Sequence, residues 1–168
     1  MTAFWDRVDR VVGQARATRD TPLARNLALL GARVGLAWIF IYHGANTLFD
    51  AFGNGGIHQQ SVYFATVAHL HPATFFAVLG GIIECFGGVA VGVGLLGRLA
   101  AAGLVGDMVM AMITVTFRNG IVSSSAGSGY ELNVALAALA LVVVMLGTGM
   151  FSLDALVAEL WRKRRLPT

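Results

Sequence analysis

The chain has 168 residues, of which 57% are hydrophobic and 12% are charged. Because roughly a quarter of the residues in an ordinary soluble domain are charged, this composition excludes a soluble globular protein and indicates a membrane protein. The formal net charge is +3, and the single cysteine, Cys85, excludes an internal disulfide or dithiol chemistry within one chain.

The first predicted element is an amphipathic helix over Phe4–Ala17, in which apolar residues recur at helical spacing opposite charged ones. A helix of this kind lies on the membrane surface. Three aspartates interrupt the apolar residues of this region, which argues against a cleavable signal peptide. Residues 1–26 are therefore predicted to be a basic, amphipathic segment that precedes the first membrane span.

Four stretches that follow are long enough for membrane-spanning helices, each of which needs about 20 apolar residues. They are approximately Leu27–Phe49, Ala73–Leu96, Leu99–Phe117 and Leu132–Phe151. The predicted fold is an all-α integral membrane protein, a bundle of four transmembrane helices over residues 27–151 with short amphipathic interfacial helices at the termini. Residues 152–168 are the second of these terminal segments, an amphipathic basic tail.

Two longer connections separate the spans. The first is predicted to contain a short helix over Ile57–Leu70, and it also carries His58, His69 and His71. The spacing of these histidines matches no strong metal-ligand pattern, so no metal site is predicted. The second connection, Asn119–Gly129, is rich in serine and glycine and is flexible by composition.

The basic residues are distributed asymmetrically along the chain. The connection between the first two spans has no lysine or arginine, and the connection after the third span has only Arg118. Five arginines precede the first span, Arg98 lies between the second and third spans, and a basic cluster ends the chain. By the positive-inside rule both termini are predicted to be cytoplasmic. The basic ends indicate contact with the lipid bilayer and not a nucleic-acid site.

Three ionisable residues lie well inside the spans: Arg33, Glu84 and Asp107. Because a charge in hydrocarbon costs several kcal/mol, such residues must be paired, hydrated or used. At about 1.5 Å per residue, Arg33 and Asp107 lie at similar depths, about 10 and about 13 Å from the cytoplasmic edge. They are therefore predicted to pair, either as a salt bridge that sets helix register or as part of a functional site.

Glu84 lies deeper, about 18 Å from the same edge, and no opposite charge is expected at its depth. It shares a stripe of small residues with Gly80, Gly88 and Gly92, which predicts that it faces another helix and not lipid. A protonated carboxyl there could donate a hydrogen bond or relay a proton, and a quinone carbonyl would be a suitable acceptor. A structural hydrogen bond is the alternative for Glu84.

The predicted polar core thus consists of Arg33, Glu84, Asp107 and His43. His43 is either an interior histidine bonded to a backbone carbonyl or, with Tyr42, a partner of Glu84 near the outer side. A lone histidine in a span is weak evidence for haem, and none is predicted.

A second polar group is predicted at the outer ends of the third and fourth spans. Arg118 with Glu131 would neutralise this rim, and Asn119 and Tyr130 complete it. No catalytic residue is assigned in either group.

The chain resembles the DoxX family of small four-helix bacterial membrane proteins, from about Leu27 to Ala158. The resemblance rests on short motifs that occur in the family's order and spacing. They are Arg33-x-Gly35, His43-Gly44, Glu84-x-x-Gly87-Gly88, Gly97-Arg98, Asn119-Gly120, Gly129-Tyr130-Glu131 and Gly149-x-Phe151-Ser152-Leu153-Asp154. One position departs from the family: Asn46 stands where a lysine is common soon after the His-Gly pair.

The resemblance implies a location in the bacterial plasma membrane and a role near membrane redox enzymes. The family is named for relatives of a membrane subunit of a thiosulfate:quinone oxidoreductase, and some members are associated with oxidoreductase complexes that counter oxidative and thiol stress. The expected function is a membrane subunit or anchor of such an assembly, with soluble or membrane redox proteins as partners.

Two alternatives stay open. The first is an oxidoreductase subunit that itself binds quinone, through Glu84 and His43. The second is a small transporter or proton path, since inward-facing carboxyl groups line such paths. Four spans without a repeat or a broken-helix pair weaken the transporter hypothesis, unless the chain forms a homo-oligomer.

Overall fold

The computed structural model describes residues 22–122 and 127–165, with side chains up to residue 163. The amphipathic helix predicted over Phe4–Ala17 lies outside the described residues. The described part contains six α-helices: α1 (Pro22–Phe49), α2 (Gly56–Thr66), α3 (Ala73–Val93), α4 (Gly97–Ala111), α5 (Glu131–Leu146) and α6 (Leu153–Arg165). Helix α4 continues into a π-helical turn, Met112–Thr116, and a 3-10 turn, Phe117–Asn119.

Among the described residues, three segments are long and apolar enough to cross a membrane: Pro22–Phe49, Ala73–Val93 and Gly97–Asn119. Helix α5 is a shorter apolar helix. Together they confirm the predicted all-α membrane bundle.

The fourth predicted span, Leu132–Phe151, extends too far, because α5 ends at Leu146. Its 16 residues reach about 24 Å along the helix axis at 1.5 Å per residue. The next residue, Gly147, has φ 82° and ψ −171°, a conformation that essentially only glycine adopts, and the helix stops there.

Helices α1, α3, α4 and α5 run alternately up and down. We call the end that carries residues 50–72, 117–122 and 127–130 the loop end, and the opposite end, with residues 94–96 and 147–152, the terminal end. The core lies in the middle and the terminal half of the bundle and draws on all four long helices. Its buried residues are Leu36, Phe40, Val91, Ala101, Leu104, Met108, Leu136, Ala140 and Val143.

Helices α1 and α3 approach so closely that their backbones touch. A Cβ atom on Gly44 would overlap the backbone of Cys85, and one on Gly92 would lie 2.9 Å from the Cβ atom of Ala37. Gly88 would similarly meet Phe40 and Ile41. We call this contact the tight seam. Close approach through small residues is how membrane helices gain packing energy where lipid is as apolar as the side chains.

The prediction that one stripe of small residues faces one neighbouring helix is wrong. The residues of this stripe are Gly80, Glu84, Gly88 and Gly92. Gly88 and Gly92 contact α1, whereas Gly80 lies beside Asp107 of α4. Four residues turn a helix by about 400°, so a stripe of this spacing drifts by about 40° at each step. The drift carries the stripe from one neighbouring helix to the next.

The predicted pair of Arg33 and Asp107 is also wrong. Arg33 is 1% exposed, and its guanidinium group donates four hydrogen bonds to backbone carbonyls. Two acceptors lie in the last turn of α3, Val91 (2.8 Å) and Gly92 (2.6 Å). The other two follow α5, Thr148 (2.8 Å) and Phe151 (2.7 Å). Estimates of depth from the sequence could not anticipate these acceptors, because two chain segments that are distant in sequence bring them together.

The positive charge of Arg33 suits this place, because the last carbonyls of a helix carry partial negative charge. Arg33 therefore joins the ends of α3 and α5 to the middle of α1.

Asp154 continues this network at the terminal end. Its carboxylate accepts hydrogen bonds from the amides of Leu96 (2.8 Å) and Gly97 (3.1 Å), where α4 begins. It also lies close enough to Arg33 to interact with its charge. A Cβ atom on Gly97 would overlap Thr148, so the segment after α5 packs directly against the start of α4.

We expect Gly44→Ala to destabilise the protein by about 1–3 kcal/mol, since its added methyl group must push α1 away from α3. The matched control is Gly31→Ala on the same helix, where a Cβ atom would meet nothing within 4 Å. Thermal unfolding of both variants in one detergent measures the difference. Equal midpoints would show that the tight seam does not limit stability.

We expect Arg33→Gln to lower the free energy of unfolding by at least about 3 kcal/mol, since several hydrogen bonds from a charged donor are lost. Asp107→Asn changes the residue that the sequence predicts to pair with Arg33, and it should leave stability nearly unchanged. The same unfolding assay applies to both. A large loss of stability in Asp107→Asn would contradict the separation of the two residues.

Candidate functional site

A cavity of about 520 Å³ lies in the loop half of the bundle. It is bordered by α1, α3, α4 with its π-helical turn, and the beginning of α5, while α2 covers it at the loop end. Its volume is within the range of about 300–1,000 Å³ that is usual for small-molecule sites.

The walls of the cavity are mostly apolar. Phe40, Met108 and Leu136 form its floor, and the same three side chains are the uppermost layer of the core. Tyr63 and Phe64 of α2 border it from the loop end. The site is therefore a hollow above a closely packed lower half, and it suits a molecule with an apolar body.

Two carboxyl groups, those of Glu84 and Asp107, face this cavity. Glu84 comes from the middle of α3 and Asp107 from α4, and they are close enough to interact electrostatically. In the part of the chain that the structure describes, neither carboxyl takes part in a hydrogen bond, and neither is sealed from the cavity. Because both carboxyl groups open onto the cavity and form no hydrogen bond within the described fold, the pair indicates a site that accepts a ligand or a proton.

No lysine or arginine is found among the described residues that line the cavity. His43 of α1 also borders the cavity, and it is exposed on the surface of that helix. Tyr42 does not border it; its ring stacks on Phe52 at a centroid distance of 4.2 Å. Of the two predicted partners of Glu84, only His43 lies at the same cavity.

On the third span, Gly103, Asp107, Ala111 and Thr114 all border the cavity. The π-helical turn then adds Thr116, whose hydroxyl donates to the side-chain oxygen of Asn133 at 3.2 Å. Turns of this kind occur frequently at functional sites. No pattern in the sequence predicted this π-helical turn.

Thr47 and Gln60 are further polar residues of the cavity that the sequence analysis missed. Thr47 follows His43 by one helical turn, so this spacing in the sequence indicates that the two residues share a helix face. Gln60 lies on α2, and only the packing of that short helix over the bundle brings it to the site.

The predicted outer rim lies above the cavity and has mainly structural contacts. Arg118 donates to the carbonyl of Thr114 at 2.6 Å, and Asn119 donates to the carbonyl of Ser128 at 3.0 Å. The ring of Tyr130 stacks on Phe117 at 5.5 Å. Glu131 is exposed at the start of α5, and its pairing with Arg118 stays a prediction.

Arg33 lies at the terminal end, away from the cavity, and is not part of this site. Within residues 22–122 and 127–165 no group of three or more His, Cys, Asp or Glu residues could hold a metal ion. His58, His69 and His71 are exposed on or beside α2.

Comparison with known proteins gives one match. The model of the DoxX family matches residues 28–117, which is more than half of the chain and runs from α1 to the end of the third span. His43, Glu84 and Asp107 all lie within these residues. No curated protein and no solved structure matches the chain. The chain belongs to the DoxX family.

Proposed function

We propose that this protein is a membrane subunit of an oxidoreductase assembly and that its cavity binds a quinone. The observation that carries the proposal is the pair of Glu84 and Asp107, two carboxyl groups without hydrogen-bond partners in the described residues, at a mostly apolar cavity. The resemblance to relatives of a quinone-linked membrane subunit supports the same direction.

The residues present suit a quinone. A protonated carboxyl can donate a hydrogen bond to a carbonyl oxygen, and an ionised carboxyl can accept one from a hydroxyl. Glu84 and Asp107 would therefore hold the head of the oxidised or the reduced form, while Phe40, Met108 and Leu136 contact its apolar part. When bound, a quinone supplies the capacity to carry two electrons and two protons.

Electrons must come from another protein. The chain contains one cysteine, Cys85, which is buried against Gly44 in the tight seam. A single buried thiol cannot pass through a dithiol and disulfide cycle within one chain. The proposed partners are therefore redox proteins, soluble or in the membrane, that act in oxidative or thiol stress.

The proposed location is the bacterial plasma membrane with both termini in the cytoplasm. The terminal end of the bundle carries Arg25 and Arg98, and the exposed side of α6 carries Arg162 and Lys163. In the sequence of residues 50–72 and 117–130, Arg118 is the single lysine or arginine. This distribution supports the predicted orientation.

A proton path is the second candidate, because Glu84, Asp107 and His43 could pass a proton between them. The packing of the terminal half weighs against a path across the whole bundle. Leu36, Val91, Leu104 and Val143 are completely buried there, and the buried positive charge of Arg33 lies beyond them. A proton exchanged at the cavity is thus favoured over a proton carried through the protein.

We expect Glu84→Gln and Asp107→Asn to reduce bound quinone by about tenfold or more, since each removes a hydrogen bond of a charged or readily protonated group. The measurement is affinity purification in mild detergent, with mass spectrometry of extracted lipids and of co-purifying proteins. Glu159→Gln is the matched control, because this carboxyl lies on α6 and pairs with Lys163 at 3.0 Å.

Quinone retained by the unchanged protein and the control, but lost from both cavity variants, would support the proposal. Redox proteins without quinone in the unchanged protein would leave the protein as a non-catalytic anchor. If neither is present and proteoliposomes show a proton flux that Glu84→Gln abolishes, the proton path would replace the proposal.

A further inference from the structure

We infer that the cavity is entered sideways from the bilayer, between α3 and α4, by a ligand that is dissolved in the membrane. The doorway consists of Gly80, Gly103 and Gly106, with Glu84 and Asp107 at its inner side. The ligand class is an amphiphile with an apolar body and a head that forms hydrogen bonds. The identity of the ligand as a quinone rests on the proposed function, whereas the doorway itself does not.

Residues on the outer surface of α3 and α4 border the same cavity as the two carboxyl groups. Leu79 is 39% exposed and Met110 is 45% exposed, yet both border the cavity, as does the exposed Gly106. On membrane-spanning helices this outer surface faces lipid. The cavity is therefore continuous with the lipid-facing surface along this side.

Two glycines of α4 that border the cavity, Gly103 and Gly106, do not serve close packing. A Cβ atom on Gly106 would meet nothing within 4 Å, and one on Gly103 would reach only Ile83, at 3.7 Å. In the tight seam, by contrast, added Cβ atoms on Gly44 and Gly92 would collide with α3 or α1. Gly103 and Gly106 consequently leave room beside the cavity, whereas the glycines of the tight seam bring backbones together. Further along α3, away from the cavity, Gly87 packs against Leu104 of α4, which an added Cβ atom would approach to 3.3 Å.

Glu84 and Asp107 lie directly behind this gap. A Cβ atom on Gly80 would lie 3.9 Å from the Oδ1 atom of Asp107, which places that oxygen at ordinary contact distance behind the doorway. A molecule that enters between the helices would thus meet a carboxyl group as soon as its head passes the glycines.

The other sides of the cavity are more closely filled. The core closes the terminal end, and α2 covers the loop end with Tyr63 and Phe64. Between α4 and α5 the hydroxyl of Thr116 donates to Asn133, whose amide also contacts the sulfur of Met108 at 3.6 Å. The cavity also reaches the exposed His43 of α1, which the experiment below tests as the competing entrance.

The doorway can be tested with two carbodiimides, which modify carboxyl groups and differ in solubility. Proteoliposomes are treated with dicyclohexylcarbodiimide, which dissolves in the bilayer, or with a water-soluble carbodiimide, and adducts on Glu84 and Asp107 are measured by mass spectrometry. The apolar reagent leaves water for the bilayer, so we expect it to label at least about tenfold faster.

Bulky residues in the doorway should slow this labelling. Gly106→Leu and Gly103→Leu place side chains where the structure has space, and we expect each to slow labelling by the lipid-soluble reagent severalfold. The matched control is Gly31→Leu on α1, another glycine with nothing within 4 Å of its Cβ position. His43→Phe instead adds bulk on α1, at the competing entrance. Thermal unfolding verifies that each variant is folded before its labelling rate is used.

Faster labelling by the lipid-soluble reagent, slowed by Gly106→Leu or Gly103→Leu and unchanged by Gly31→Leu, would support the doorway. Equal labelling by both reagents, no labelling by the lipid-soluble reagent, or slowing by His43→Phe alone would overturn it. Bound quinone is measured separately, so a doorway without quinone rejects the proposed function alone, and quinone without the doorway rejects this inference alone.

Discussion

The hydrogen bonds of Arg33 hold the terminal half of this protein together. One guanidinium group from α1 contacts carbonyls at the end of α3 and carbonyls after α5, three segments that are far apart in the sequence. Backbone carbonyls in apolar surroundings must find donors, because lipid offers none. A planar cation with five donors can satisfy several carbonyls at once, which an ammonium group or a neutral amide cannot do as well. The closure of the bundle at this end depends on that geometry.

The two halves of the bundle use small residues in opposite ways. In the tight seam, Gly44, Gly88 and Gly92 allow the backbones of α1 and α3 to touch. Between α3 and α4, Gly103 and Gly106 leave space that no side chain fills. The same residue type thus serves close packing in one helix contact and leaves room in another. A rigid lower half also holds Phe40, Met108 and Leu136 as a firm floor for the cavity.

Glu84 and Asp107 differ from the other charged residues of the bundle because they form no hydrogen bonds that stabilise the fold. Arg33 and Asp154 also lie in the bundle, and both are engaged in hydrogen bonds that join helix ends. The two cavity carboxyls have no such bonds in the described residues. Polar groups inside a membrane are costly, so a pair that contributes nothing to the frame points to a ligand or a proton. This contrast between engaged and unengaged charges is what separates the site from the structural residues of a DoxX protein.

The sequence by itself determined the membrane class, the helical fold, the first three spans, and the presence of Arg33, Glu84 and Asp107 inside those spans, because hydrophobic length and rare intramembrane charges are local signals. Only the tertiary structure decided which charges meet. Arg33 donates hydrogen bonds to carbonyls at the ends of α3 and α5, and Asp107 lies beside Glu84. Packing between segments that are distant in the sequence determines these partners. The cavity, the π-helical turn beside it and the cover of α2 likewise arise from contacts between helices, which no periodicity along one helix records.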